Sequence, residues 1–149
     1  MTRLKEVLDK LYDIPRLKTH IKNDPIEFPH LYNDSRDIEL AGFIASSLAF
    51  GRIGLFKPVI KKILSFAEGS LYEYVINFEP HKDTKSFENL YYRMCKGEDI
   101  AALIFILREV VRKHGTIGNL FHSCYNRQTS LRNTLGMFVR HLKEIDTTP

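Results

Sequence analysis

Apolar side chains recur every three or four residues along most of the chain, which is the spacing of one face of an α-helix. The first such segment carries Leu4, Val7, Leu8 and Leu11, and the strongest runs from Asp99 to His114. The same spacing predicts further helices over residues 35–50, 55–67, 71–78, 117–125 and 131–142. We therefore predict an all-α fold, a compact bundle of about seven helices that forms one domain over residues 1–149.

Short polar residues mark where several of these helices begin. A side-chain oxygen of Ser, Thr or Asp accepts the free amides of a first helical turn. Asp34 or Ser35 is placed to start the second helix, and Ser70, Thr116 and Ser130 precede later ones. Gly115 is predicted to end the helix before Thr116.

The helix over residues 35–50 is rich in small side chains, so it is predicted to pack closely and to lie at the centre of the bundle. Its predicted inward face is Ile38, Ala41, Ile44, Ala45 and Leu48. The third helix is predicted to bury Leu55, Val59, Ile60, Ile63, Leu64 and Ala67, and the last to bury Leu131, Leu135, Phe138, Val139 and Leu142. Residues 89–94 have β character, but a single strand forms no sheet by itself.

The charge balance permits a polyanionic partner without requiring one. The 149 residues include 22 Lys and Arg against 18 Asp and Glu, a net charge of +4. Positive charge is spread along the chain apart from one short cluster, Lys57, Lys61 and Lys62. A solvated helix face explains that cluster as well as a binding surface does.

Cysteine usage and hydropathy indicate a cytoplasmic protein without a membrane segment. Cys95 and Cys124 are single and far apart, which excludes a Cys-x-x-Cys site and favours buried thiols over a disulfide. The N-terminus lacks the apolar core of a signal peptide, and the stretch from Ala41 to Gly51 is too short to span a bilayer.

No sequence motif for catalysis or cofactor binding is present. The chain has no His-Glu-x-x-His pair, no phosphate-binding glycine loop and no nucleophile elbow. Its six histidines lie mostly at helix ends or in loops, and no two are spaced i, i+4 on one helix. We therefore expect no metal, no cofactor and no catalytic residue in this chain.

The segment Gly51-Arg52-Ile53-Gly54, between the second and third helices, is the strongest candidate for ligand contact. Glycines allow the backbone to approach a ligand closely, and a guanidinium binds phosphate through two donors. With Lys57, Lys61 and Lys62 it forms a candidate nucleic-acid surface. The alternative is a plain turn with a solvent-facing arginine.

Two further segments have a functional and a structural interpretation. Tyr91-Tyr92-Arg93 combines rings with a cation, and we include Tyr92 and Arg93 in the candidate surface, although a core tyrosine and a salt-bridged arginine are the favoured alternative. Gly115-Thr116-Ile117-Gly118 is similar to a helix-hairpin-helix turn, in which backbone amides approach a DNA phosphate. The usual turn has one residue between its glycines and this one has two, so a helix end followed by a Thr116 cap is favoured.

Several motifs resemble an uncharacterised family of bacterial conserved hypothetical proteins. They are Asp24-Pro25…Phe28-Pro29-His30, Asp34 to Arg52 with its Ala49-Phe50-Gly51-Arg52 end, and Tyr92-Arg93…Gly97-Glu98-Asp99. The similarity extends over essentially the whole chain.

Complete members of that family are longer, and their C-terminal half resembles the helix-hairpin-helix DNA glycosylases, including the hairpin and a catalytic aspartate. The resemblance implies that this chain is an N-terminal half, ending at residues 146–149 about where the second half is expected to begin. The helix over residues 37–50 also resembles the first core helix of those glycosylases. At the position where they often carry a base-probing glutamine, this chain has Gly51-Arg52, so that role is not assigned to this chain.

Two functions follow as hypotheses. The first is a helical half of a glycosylase-like protein that binds duplex DNA, has a C-terminal half or a partner chain, and is catalytically silent by itself. The second is a helical protein-interaction module with no nucleic-acid role. Salt-dependent binding to duplex DNA separates them.

Overall fold

The computed structural model describes residues 2–11, 20–126 and 130–147, and helices dominate this part of the chain. Its α-helices are α1 (Thr2–Leu11), α2 (Ser35–Leu48), α3 (Ile53–Leu64), α4 (Leu71–Ile76), α5 (Pro80–Asp83), α6 (Gly97–His114), α7 (Ile117–Tyr125) and α8 (Leu131–Lys143). Single 3-10 turns cover Pro25–Glu27, Pro29–Leu31 and Thr84–Phe87. The predicted all-α bundle is confirmed, with α5 as an additional short helix that the sequence pattern did not predict.

The predicted polar residues do start their helices. Asp34 accepts the Arg36 amide at 2.9 Å, and Ser70 accepts the Glu73 amide at 3.2 Å. Thr116 and Ser130 accept the amides three residues later, at 3.0 and 3.3 Å. These contacts depend only on neighbouring residues, which is why the sequence locates them well.

The helix α2 lies at the centre of the core, as predicted. It packs against the 3-10 turns at residues 25–31 and against α3, α4 and α7. The residues that it buries are Asp37, Leu40, Ala41, Ile44, Ala45 and Leu48. The long helix α6 forms the opposite wall, where it packs against α4, α7 and the turn at residues 84–87.

Asp37 is a buried carboxylate that joins α2 to α4. Its Oδ1 accepts hydrogen bonds from the Ser70 hydroxyl at 3.0 Å and from the Tyr72 amide at 2.7 Å. A buried charge is tolerated when it is hydrogen-bonded in this way, and a carboxylate stabilises the positive end of a helix. The start of α4 is therefore fixed against α2.

Gly97 is required by a close approach between α6 and the chain before it. A Cβ atom at this position would lie 1.8 Å from the Phe87 carbonyl oxygen. Only glycine permits the first turn of α6 to contact that backbone.

Several apolar residues predicted to point inward are exposed instead. They are Leu4, Val7 and Leu8 on α1, Ile38 on α2, Leu55 on α3, and Leu131, Leu135 and Val139 on α8. The side chain of Leu11 lies outside the described residues. Each apolar stripe is wider than the contact that its helix makes, so periodicity identifies the stripe but not which part of it is covered.

A short antiparallel hairpin interrupts the helices. The strand β1 (Tyr91–Tyr92) pairs with β2 (Cys95–Lys96), with Tyr91 opposite Lys96 and Tyr92 opposite Cys95. The β character predicted for residues 89–94 therefore belongs to a two-stranded hairpin whose second strand begins at Cys95.

Candidate nucleic-acid interface

Gly51 lies at the junction between α2 and α3 and adopts a left-handed backbone conformation, with φ of +94°. A Cβ atom there would lie 2.9 Å from Nη1 of Arg93 and 3.1 Å from the hydroxyl of Tyr92. Both the backbone angle and the lack of space favour glycine at this position. The junction therefore brings together the Gly51-Arg52 segment and the Tyr92-Arg93 segment.

Tyr92 holds the hairpin against this junction. Its ring is 4 % exposed and lies 4.9 Å, centroid to centroid, from the ring of Phe50. Its hydroxyl donates a hydrogen bond to the Phe50 carbonyl oxygen. Because the ring is enclosed, Tyr92 is not available to stack on a base. It agrees with the favoured alternative of a core tyrosine, and it positions the hairpin instead of contacting a ligand.

Arg93 is at the turn of the hairpin and is exposed. It is the one non-glycine residue with positive φ, 55°, in the described part of the chain. Its guanidinium carbon lies 5.8 Å from the centre of the Phe50 ring, within the range of a cation–π contact. The ring and the Gly51 backbone thus orient the guanidinium along the junction.

Arg52 extends from the other side of Gly51. It is the N-cap residue of α3 and is exposed, and its side chain makes no capping hydrogen bond. Within the described residues neither Arg52 nor Arg93 has a carboxylate within 4 Å. One exposed arginine therefore follows Gly51 in the chain and a second has its guanidinium against it, and we refer to Arg52, Arg93 and Gly51 as the arginine junction.

Lys57 does not belong to this exposed group. Its ammonium lies 2.8 Å from Oε2 of Glu27, and it also donates to the Lys22 carbonyl oxygen at 2.5 Å. Both partners of the ion pair are largely buried, with side-chain exposures of 24 % and 15 %. Lys57 therefore links α3 to the segment before α2. The sequence predicted a nucleic-acid contact for this residue, and the structure places it in an internal ion pair instead.

Lys61 and Lys62 are exposed but lie in the last turn of α3. Lys61 follows Arg52 by nine positions, a distance of roughly 14 Å along the helix axis. Lys62 lies over the Phe66 ring at 5.1 Å. The two lysines can extend a surface that begins at the arginine junction, but they do not share its centre.

Backbone amides of the turn at residues 115–118 are hydrogen-bonded to a side chain of another helix. Oε2 of Glu39, on α2, accepts the Ile117 amide at 2.9 Å, and Oε1 accepts the Gly118 amide at 2.7 Å. These are the amides that would face a phosphate in a helix-hairpin-helix turn. The favoured interpretation, a helix end at Gly115 followed by a Thr116 cap, agrees with the hydrogen bonds.

Sequence reasoning gave Glu39 no role, and from the segment Tyr91-Tyr92-Arg93 it chose Tyr92 instead of Tyr91 as the candidate aromatic residue. A glutamate at half-buried position 39 contacts a turn 78 residues away, and no local pattern marks such a pairing. At the hairpin tip, Tyr91 and Met94 are 67 % and 73 % exposed. The alternation of faces along a strand could have indicated that only one of the two tyrosines is buried.

A second concave region of about 480 Å³ lies between α6, α7 and the end of α8. Arg112, Lys113, His114, His141 and Glu144 contribute to its lining. Burial lowers the pKa of His114, and the nearby charges of Lys113 and His141 lower it further. The mixture of acids and bases gives this cleft no single preference for an anion or a cation.

Residues 2–11, 20–126 and 130–147 contain neither a metal-binding cluster nor a membrane-spanning helix. No group of three histidine, cysteine or carboxylate side chains there is arranged to hold a metal ion. None of the described helices combines the length and the apolarity that a bilayer crossing needs.

Comparison with known proteins assigns a family. No curated protein and no solved structure is significantly similar to the chain. A family model described as a protein of unknown function, DUF2400, matches residues 24–149, which is most of the sequence. The chain therefore belongs to the DUF2400 family.

Proposed function

We propose that this chain is the helical, DNA-binding half of a glycosylase-like cytoplasmic protein, and that it contacts duplex DNA through the arginine junction. The observation that carries the proposal is a pair of exposed arginines at Gly51: Arg52 follows it in the chain, and Nη1 of Arg93 would lie 2.9 Å from a Cβ atom on Gly51. Neither arginine has a carboxylate partner among the described residues. A guanidinium binds phosphate through two parallel donors, so two of them can hold neighbouring phosphates.

The local backbone supports an anionic ligand at the same place. Arg52 precedes the first turn of α3, a helix of 12 residues, and the amides of such a turn attract negative charge. A Cβ atom at Gly54 would meet no neighbour within 4 Å, so this turn is open to an incoming group. Contacts of this type fix the position of a duplex but read no base sequence.

The remaining candidate residues take different parts in the proposal. Lys61 and Lys62 add positive charge farther along α3, and Tyr91, unlike the enclosed Tyr92, is an exposed aromatic residue of the hairpin. Gly51 and Tyr92 position the two arginines, and Lys57 stabilises α3 through Glu27.

Catalysis is not part of the proposed role of this half. In this proposal the hairpin and the catalytic aspartate belong to a C-terminal half. The amides of the Gly115-Gly118 turn are hydrogen-bonded to Glu39, so the phosphate contact of a helix-hairpin-helix is not proposed here. Binding to DNA, and not base release, is the activity to measure.

The second candidate is a protein-interaction module without a nucleic-acid role. Exposed apolar side chains on α8, Leu131, Leu135 and Val139, favour it. The two candidates differ in their response to salt, because phosphate contacts release counterions from DNA.

The experiment is a titration of fluorescently labelled duplexes of two unrelated sequences, measured by anisotropy over a range of salt concentrations. We expect both duplexes to bind with equal affinity and with a linear fall of log K against log salt. Failure of the folded protein to bind either duplex at low salt would favour the interaction module.

A further inference from the structure

The helix α8 has an apolar stripe on its outer face. Leu131, Leu135 and Val139 are 58 %, 47 % and 44 % exposed, and a spacing of four residues places them in one row. The inner face is occupied by Thr134 and Phe138, which are buried. The helix is therefore fixed to the domain by one face, while a second apolar face is uncovered.

The border of this stripe is basic. Arg132, Arg140 and Lys143 are exposed, and residues 131–143 contain no aspartate or glutamate. With about 100° of rotation per residue, Arg132 and Lys143 project in nearly the same direction as Val139, near the first and the last turn of the helix. None of these three cations has a carboxylate within 4 Å in the described part of the chain, so their charge is available to a partner.

The basic side of α8 is open at Gly136. A Cβ atom there would have no neighbour within 4 Å. A glycine on the outer face of a helix allows another backbone to approach closely.

We propose that the outer face of α8 docks an amphipathic helix of a partner protein whose apolar stripe is bordered by carboxylates. Three aliphatic side chains spaced along the helix match the anchors of a helix-in-groove contact. The unpaired cations set the sign of the charge on the partner. This docking face is separate from the arginine junction and does not depend on DNA binding.

Other occupants fit these observations less well. A second copy of α8 would place arginine against arginine, which is unfavourable. Binding of a helix in a membrane surface strengthens with the apolar area that it buries, and here that area is limited to three aliphatic side chains about half exposed, with Phe138 in the core. Duplex DNA would use the cations and leave the aliphatic stripe exposed.

The probe is a synthetic helical peptide of about five turns, with leucine at the i, i+4 positions and glutamate along the border. A matched peptide has lysine in place of glutamate. Binding of both to the protein is measured by fluorescence anisotropy. We expect the glutamate peptide to bind at least about tenfold more tightly than the lysine peptide.

Variants of α8, with a control on α3, test whether the peptide binds at the outer face of α8. Leu135→Asp should weaken binding of the glutamate peptide by at least about tenfold, whereas Leu55→Asp, at the equally exposed Leu55 of α3, should not change it. The double variant Arg132→Glu/Arg140→Glu should reverse the preference and select the lysine peptide. Because those arginines are exposed, this charge reversal remains informative if Leu135→Asp does not fold.

Several results would overturn the proposal. They are equal binding of the two peptides, binding unchanged by both α8 variants, or dimerisation of the protein that Leu135→Asp abolishes. The proposal is also overturned if phosphatidylserine vesicles or duplex DNA bind through the exposed residues of α8 while the glutamate peptide does not bind.

Discussion

The Glu39 carboxylate on α2 accepts a hydrogen bond of 2.7 Å from the backbone amide of Gly118 at the start of α7. Its second oxygen accepts the neighbouring Ile117 amide at 2.9 Å. A negative charge at this position satisfies free amides and complements the positive end of the helix dipole. The central helix thereby determines where α7 begins.

Removal of this carboxylate should destabilise the fold. Glu39→Ala leaves two amides without their acceptor, and we expect the free energy of unfolding to fall by about 2 kcal/mol. Urea denaturation followed by circular dichroism measures it, with Glu68→Ala as the control because Glu68 is exposed. Equal stability of the two variants would show that water replaces Glu39 at no cost.

The two glycines Gly97 and Gly136 should respond in opposite directions to alanine. At Gly97 a Cβ would lie 1.8 Å from the Phe87 carbonyl oxygen, so Gly97→Ala requires α6 to shift and should cost more than about 2 kcal/mol. At Gly136 the Cβ meets nothing within 4 Å, so Gly136→Ala should stabilise α8 by up to about 1 kcal/mol. Thermal unfolding of both variants checks this, and a stable Gly97→Ala protein would contradict the close packing.

Tyr74 should lose its phenolic proton at a higher pH than an ordinary tyrosine, which makes the stability of the fold depend on pH in the alkaline range. Burial, with a smaller contribution from Asp83, raises its pKa from 10.0 to about 12. The phenol therefore loses its proton more easily in the unfolded chain. Its contribution to stability is complete below pH 10 and is lost as the pH rises to about 12. Spectrophotometric titration of the wild type and of Tyr74→Phe should differ by one tyrosine that titrates near pH 12.

The same substitution tests a buried hydroxyl. Within the described residues the Tyr74 hydroxyl is buried and has no hydrogen-bond partner. Tyr74→Phe should therefore leave the stability at pH 7 unchanged or raise it by about 1 kcal/mol. A clear loss of stability at pH 7 would mean that the hydroxyl is satisfied in solution.

Local features of the fold could be predicted from the sequence, and features that depend on distant residues could not. Asp34, Ser70, Thr116 and Ser130 start their helices through contacts within three residues, and all four were predicted. The small side chains of α2 similarly predicted its central place. Periodicity did not distinguish the buried Phe138 from the exposed Leu135, because that depends on which neighbour covers the stripe.

In the candidate site, too, the sequence predicted some residues correctly and missed the contacts that depend on distant residues. Sequence reasoning grouped Gly51, Arg52 and Arg93, and the structure brings these residues together. It also included Lys57 and Tyr92, which the structure places in an ion pair with Glu27 and in a contact with Phe50. Glu27 is 30 residues from Lys57 and Phe50 is 42 residues from Tyr92, and the spacing of residues in the sequence does not predict contacts at such separations.

The salt dependence of duplex binding by the double variant Arg52→Ala/Arg93→Ala tests the central claim most directly. Both side chains are exposed, so the melting temperature should stay nearly unchanged while affinity falls equally for unrelated sequences. The slope of log K against log salt should decrease by about one unit for each lost phosphate contact. Arg140→Ala, at an exposed arginine on α8, should retain the wild-type slope. A double variant with the wild-type slope, or one that loses stability instead of affinity, would contradict DNA binding at the arginine junction.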